Sequence, residues 1–312
     1  RPHRPCRGGD RPCSKLRGSP PAAEAIATRH GAHNPAMPTR RAKPAPDPFA
    51  PWQAEELIAA PGPWQLLLEA RAPWEYAALL AATPWLNQLP RGDGHPVVVF
   101  PGLGASDTST LPLRQFLRQR GYTPYAWQQG FNFGPRHGVL DAVRSRVQHI
   151  AERHGEPVSL VGWSLGGIYA REIAKEQPAL ARCVGTLGSP VAGHPRATNA
   201  WRFYELVSGQ AVHSDEELLA QIRRPPACPT TSIYSRSDGI VAWQCSLNDA
   251  APHTENIEVH ASHVGMGLNP LALYAVADRL AQRPGAWQPF DAQGARRWFY
   301  KTTHRGPLAA AR

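Results

Sequence analysis

From residue 96 onward the apolar positions fall into short unbroken runs separated by amphipathic stretches. PVVVF (Pro96–Phe100) is wholly apolar, and STLPLRQFLRQRG, ending at Gly121, spaces its apolar residues along one helical face. TPYAW (Thr123–Trp127) and PVSLVG (Pro157–Gly162) are the next strands. Between them, HGVLDAVRSRVQHIAERHG places Val139, Val143, Val147 and Ile150 on one face of a helix. The rhythm continues through the helix GGIYAREIAKEQ and the strands CVGTLG (Cys183–Gly188), TTSIYS (Thr230–Ser235) and NIEVH (Asn256–His260). It closes with the helix NPLALYAVADRLAQ. Strands that are apolar throughout and alternate with helices predict an α/β fold, with a mostly parallel central sheet covered by helices on both faces.

Two regions depart from this rhythm. Residues 191–228 separate two strands and contain the short helical patterns NAWRFYELVSG and DEELLAQIRR, which read as a small helical cap or lid insertion. Residues 51–92 form a helical region cut by Pro63, Pro73 and Pro84, each followed by a Trp and each suited to the first turn of a helix. Trp64, Trp74 and Trp85 suit a membrane surface or an acyl-binding groove; packing onto the core is the favoured reading. The expected organisation is therefore a disordered, basic, Pro-rich extension over 1–50, the helical region 51–92, an α/β domain over 93–290 and a C-terminal tail over 291–312.

Composition adds a bias. The chain has 312 residues and a net charge of +10. Residues 1–36 hold seven Lys/Arg and two Asp/Glu, so half of the excess lies in a head without apolar periodicity. That head reads as an extension rather than a nucleic-acid site. The first Met is Met37, so residues 1–36 are either translated upstream sequence or a processed remnant. Five Cys without CxxC pairs read as reduced thiols, with a Cys228–Cys245 pair disfavoured. No run of 18 apolar residues and no signal-type apolar segment occurs, so the expected location is cytoplasmic.

The chemistry concentrates in Gly162-Trp163-Ser164-Leu165-Gly166, a G-x-S-x-G between a strand and a helix. Such a turn is sharp, and glycines on either side let neighbouring backbone approach. It lifts the serine hydroxyl clear of the sheet at a helix N-terminus, where N–H groups favour an oxyanion. A serine nucleophile needs a base and an orienting acid, which on this arrangement follow in the order acid, then His. Asp238, in SIYSRSDGIVAW, and His263, in EVHASHVGMG, both lie in loops past strand ends. Asp215 and Asp249 are weaker acids for this role, and His253 and His260 weaker bases; His260 is expected to face the core. Leu165 and Leu103 (in PGLG, after the first strand) are the expected oxyanion donors, and Trp163 is a candidate substrate contact. No third Gly completes a dinucleotide fingerprint, no Walker A Lys follows, and His149 and His154 miss zinc-protease spacing.

On VVVFPGLG, VSLVGWSLGG, TLGSPVAG, YSRSDGIV and SHVGMG, the segment from about Asp93 to Gln282 resembles an α/β-hydrolase of the lipase/esterase type, similar to bacterial triacylglycerol-lipase-like members. The resemblance implies the α/β-hydrolase fold and a carboxylic-ester hydrolase of lipid metabolism. It would work through Ser164, His263 and Asp238 without metal or cofactor, on a small-molecule or lipid ester, with transient contact to a lipid surface. A single G-x oxyanion loop in that family goes with longer acyl chains; Pro101 stands where many relatives carry His. The residues before Asp93 lie outside the resemblance. An acyltransferase or thioesterase with the same triad, and a silent scaffold, are the alternative readings.

Overall fold

The computed structural model describes residues 58–209 and 216–303; the expected extension over 1–50, the start of the helical region and Asp215 lie outside them. Strands β1 (Pro96–Phe100), β2 (Thr123–Ala126), β3 (Val158–Trp163), β4 (Ala181–Leu187), β5 (Thr230–Tyr234), β6 (Thr254–Glu258) and β7 (Lys301–Thr302) form one sheet in the order β2-β1-β3-β4-β5-β6-β7. β1 to β6 pair in parallel, and β7 pairs antiparallel with β6. The order doubles back at β1, where β2 lies on one side and β3 on the other. The crevice beyond the carboxyl ends of strands flanking such a reversal is where α/β sheets gather their functional loops.

The unbroken apolar runs follow from burial on two faces. Alternate β1 residues enter different cores: Val97 and Val99 face one, Val98 and Phe100 the other. The helices, in chain order, are α1 (Pro63–Leu67), α2 (Ala72–Leu86), α3 (Leu111–Gln119), α4 (Val139–His154), α5 (Leu165–Glu176), α6 (Trp201–Ser208), α7 (Glu216–Arg223) and α8 (Pro270–Leu280). α2, α3 and α8 cover the first face with Leu79, Leu86, Phe116, Leu117, Leu273 and Val276. α4 and α5 cover the second with Val143, Val147, Ile150, Tyr169 and Ile173. The shared face expected in α4 is therefore its core face, and Gly155, at φ +67°, ends that helix in a left-handed conformation. Asn269 caps α8, its side chain accepting from the N–H of Leu271 at 2.9 Å, ahead of Pro270.

Three expectations change. Pro84 starts no helix: it sits inside the last turn of α2, where its ring removes the N–H that would bond the carbonyl one turn earlier. Trp64 and Trp74 are 71 % and 76 % exposed, so they do not pack on the core, whereas Trp85 stacks on Tyr274 with ring centroids 4.9 Å apart. The stretch after 290 is no tail as far as Thr303: Tyr300 is buried in the first core and β7 closes the edge of β6. The 191–228 interval carries α6 and α7. Among the described residues no helix is long and apolar enough to cross a membrane.

Candidate active site

β3 runs directly into α5 with only Ser164 between them, so this residue must turn the chain within one set of dihedrals. It does so at φ +53° and ψ −125°, a region that L-residues with a Cβ seldom occupy. The turn is held by its surroundings. Ser164 N–H donates to Leu187 O at 2.8 Å. A Cβ on Gly162 would lie 2.3 Å from Gly166 O, and one on Gly166 2.4 Å from Phe100 O. Only glycine fits at either position.

The loops after β5 and β6 bring their side chains to the same point. His263 Nε2 is 2.9 Å from Ser164 Oγ and His263 Nδ1 is 2.7 Å from Asp238 Oδ2. The carboxylate can only accept, so Nδ1 carries an N–H toward it, and in the neutral ring Nε2 is left to accept from the hydroxyl. The other oxygen, Asp238 Oδ1, accepts from the N–H groups of Ile240 and Val241, each at 2.8 Å. The carboxylate is thereby fixed and its charge fully hydrogen-bonded. His263 is buried, which alone disfavours its charged form; the Asp238 carboxylate, by charge and hydrogen bond, and the Glu69 carboxylate nearby outweigh that, so its pKa is raised. Gly188, at φ +56°, passes so close that a Cβ would be 3.1 Å from both Asp238 Oδ2 and His263 Nδ1.

Leu165 opens α5, so its N–H has no carbonyl one turn earlier in the helix. The loop after β1 approaches the same spot: a Cβ on Gly102 would be 3.1 Å from Ser164 Cβ. Buried Asn132 pins that loop, its Nδ2–H donating to Pro101 O at 2.8 Å while its own carbonyl accepts from Gly104 N–H at 2.7 Å. Both Leu103 and Leu165 line, with Ser164, a cavity of about 410 Å³. Its walls are mostly apolar and include Ile168 and Tyr169 of α5, Val191, Trp201 and Tyr204 of α6, and Leu218 and Ile222 of α7. Trp163 does not line it. Its indole N–H instead donates to His263 O at 2.9 Å, which makes it a support of the His loop rather than a substrate contact.

Two of the alternatives, Asp249 and His260, lie elsewhere. Asp249 is paired with Arg223 at 2.7 Å. His260 is exposed, not directed into the core, because the buried neighbours Val259 and Ala261 take the inward direction. A second Asp–His–Ser chain does exist, from Asp93 through His95 to Ser159, whose Oγ is 2.8 Å from His95 Nε2. It sits at the opposite ends of β1 and β3, and His95 and Ser159 are both fully buried. It therefore ties the sheet together and offers nothing to a ligand. Cys228 and Cys245 pack in different apolar clusters.

Sequence reasoning missed the supports of the site. Gly188 lies within TLGSP and Asn132 within a Gly-rich loop, so a turn signal existed for both. Glu69 had none. Its carboxylate accepts from the N–H groups of Gly239, His263 and Val264 at 2.7, 2.9 and 2.9 Å.

The model of the alpha/beta hydrolase family matches residues 97–308, more than half of the chain. Among solved structures, lipase B of Aspergillus fumigatus is similar at a TM-score of 0.50 and 17 % identity, covering 64 % of this chain and 56 % of that one. The mature lipase BlEst2 of Bacillus licheniformis aligns at 0.48 and 15 %, over 62 % of this chain and 95 % of that one. Mouse alpha/beta hydrolase domain-containing protein 10 aligns at 0.41 and 17 %, over 60 % and 88 %. The present chain thus spans little more than half of the Aspergillus lipase, and at 17 % identity that likeness is one of fold. No curated protein matches the sequence.

Proposed function

This chain belongs to the alpha/beta hydrolase family, and on that premise we propose that it is a serine hydrolase of carboxylic esters. The observation that carries the reading is the unbroken hydrogen-bonded chain from Ser164 through His263 to Asp238, with Ser164 on the wall of the cavity. His263 takes the hydroxyl proton as Ser164 Oγ attacks the ester carbonyl. Asp238 keeps Nδ1 protonated, so that Nε2 faces the serine, and stabilises the imidazolium that forms. The N–H groups of Leu165 and Leu103 receive the oxyanion, each donor being worth about 3 kcal/mol in comparable sites. His263 then returns the proton to the leaving alcohol, and the acyl-enzyme is hydrolysed by a water that His263 activates. These steps use the chain's own groups and one water.

The apolar cavity favours a lipid-like acyl group. Its walls on the α6 and α7 side come from the interval expected to be a lid, which supports a role for that interval in admitting substrate. The exposed indoles of Trp64 and Trp74 support transient contact with a lipid surface, since indoles favour such interfaces.

The test is labelling with a fluorophosphonate probe, followed by assay on p-nitrophenyl esters of increasing chain length, beside Ser164→Ala. The expected result is labelling at Ser164 and hydrolysis that persists with medium and long acyl chains. Absence of labelling at Ser164 overturns the reading; activity confined to the shortest esters rejects a lipid-like substrate.

A further inference from the structure

Among the described residues, three side chains of one short stretch, Glu69, Arg71 and Glu75, reach the two loops that carry Asp238 and His263. Arg71 donates to Ser237 O at 3.1 Å and to Ser237 Oγ at 2.7 Å, beside the acid. Glu75 accepts from Ser262 N–H at 2.6 Å, beside the base, and from Arg71 Nε at 3.1 Å. Glu69 alone touches both loops. Oε1 accepts from Gly239 N–H and from His263 N–H, and Oε2 from Val264 N–H. Three backbone donors converge on one carboxylate, which no neutral side chain of that size can accept in full.

We propose that Glu69 is a positioning residue of the active site: its carboxylate bridges the Asp238 loop and the His263 loop and fixes the acid and the base relative to one another. The inference rests on the ester-hydrolase reading for its kinetic part. It assigns a role to residues that precede position 97, where the match to the family begins. The loops leave the paired strands β5 and β6 and are joined through Ala261, whose N–H donates to Ser235 Oγ at 3.2 Å and whose carbonyl accepts from Ser237 Oγ at 3.3 Å. Those bonds stop two residues short of His263, and the Glu69 carboxylate links the loops beyond them. A displacement near 1 Å at either would lengthen the His263–Asp238 bond, and misplacements of that size cost about 100-fold in rate. Glu69 also adds a negative charge behind the imidazole. The groups facing His263 are Asp238 from the β5 loop and Glu69 from the front segment, with Glu75, neutralised in part by Arg71, one residue further along. Both nearest charges favour the imidazolium that forms during attack.

Three variants separate geometry from charge. Glu69→Gln keeps one acceptor oxygen but turns an NH₂ toward Val264 N–H. It should lower kcat/KM about tenfold and move the acid limb of its pH profile to lower pH. Glu69→Ala should lose about 100-fold. Glu69→Asp keeps the charge with a shorter reach, so it should lose rate while retaining more of the wild-type acid limb; it also serves if Glu69→Gln does not fold. Unchanged kcat/KM and an unchanged acid limb in Glu69→Gln, with only the melting temperature lowered, would make the residue a fold support and overturn the proposal. If the wild type is not labelled by the fluorophosphonate, the ester-hydrolase reading fails instead. The His263 ring titration by NMR then decides: a lower pKa in Glu69→Gln keeps the bridge, and an unmoved one ends it.

Discussion

Gly188 stands against His263: a methyl group on its α-carbon would lie 3.1 Å from Nδ1, in the space where that nitrogen meets Asp238. The backbone there is also left-handed, at φ +56°. Gly188→Ala is therefore expected to cost about 1–2 kcal/mol of stability through the strained φ. It should also lower kcat about tenfold or more, because the imidazole must shift to admit the methyl. Denaturant melts and steady-state rates, taken together, check this; a stable variant with full activity would show that the His–Asp pair tolerates displacement.

Removal of either proton-transfer partner should be equally damaging. Ser164→Ala and His263→Ala are each expected to lower kcat by about 10⁶, to a shared residual level set by binding and the oxyanion donors. Asp238→Asn should lose about 10⁴, since the ring is then held in the wrong tautomer. Combining Ser164→Ala with His263→Ala should cost no more than either alone. Additive losses would mean that the three residues do not act as a unit.

The acid limb follows from the raised pKa of His263. The base acts only when unprotonated, so activity falls as pH drops through its pKa. Because that pKa lies above the ordinary value of about 6.5, the midpoint of the acid limb of kcat/KM should also lie above about 6.5. A pH–rate series on a soluble ester reads it directly, and a midpoint well below 6 contradicts the electrostatic account of the site.

Tyr169 offers a contrast. Its hydroxyl is buried beside the cavity without a hydrogen-bond partner among the described residues, and burial raises its pKa. Tyr169→Phe removes an unsatisfied polar group at nearly constant volume, so stability should hold or rise by about 1 kcal/mol. Hydrolysis of unsubstituted alkanoyl esters should be unchanged. A loss of more than about 2 kcal/mol in thermal melts would reveal a partner for that hydroxyl.

Trp64 and Trp74 should matter only at an interface. The double variant Trp64→Ala/Trp74→Ala is expected to keep its rate on soluble p-nitrophenyl esters and to lose sedimentation with phosphatidylcholine vesicles. Equal sedimentation of both proteins would remove the indoles from any account of lipid contact.

The motif glycines, the strand pattern and the positions of Asp238 and His263 were legible because each expresses a local rule. An apolar run of five, alternating with amphipathic stretches, fits a strand buried on both faces, and Gly162 and Gly166 mark a turn that excludes every other residue. The supports were not legible, for an equally physical reason. Glu69 bonds residues 170 to 195 positions away, and nothing in LEAR distinguishes it from a solvated helical carboxylate. Trp163 sat inside the motif, yet its direction depends on the register of β3 against β4 and on where the His loop passes. The exposure of Trp64 and Trp74 likewise depends on how α1 and α2 lie on the sheet.

The wall of the cavity supplied by α6 and α7 comes from one contiguous interval, while the reacting groups sit on the ends of β3, β5 and β6. On the proposed function, selectivity and reactivity thus fall to different stretches of the chain, which meet in part at a short seam. Asn199 N–H donates to Ile240 O, its side chain donates to Gly239 O, and Thr198 bridges Val241, all beside the acid. A graft that begins after Asn199 and ends before β5 exchanges the α6 and α7 part of the wall and leaves that seam closed, provided Arg223 is kept for its pair with Asp249. One that begins at 191 replaces Thr198 and Asn199 and so removes their bonds to the acid loop. New substrate ranges should therefore be reachable by recombination at the first junction, without rebuilding the chemistry.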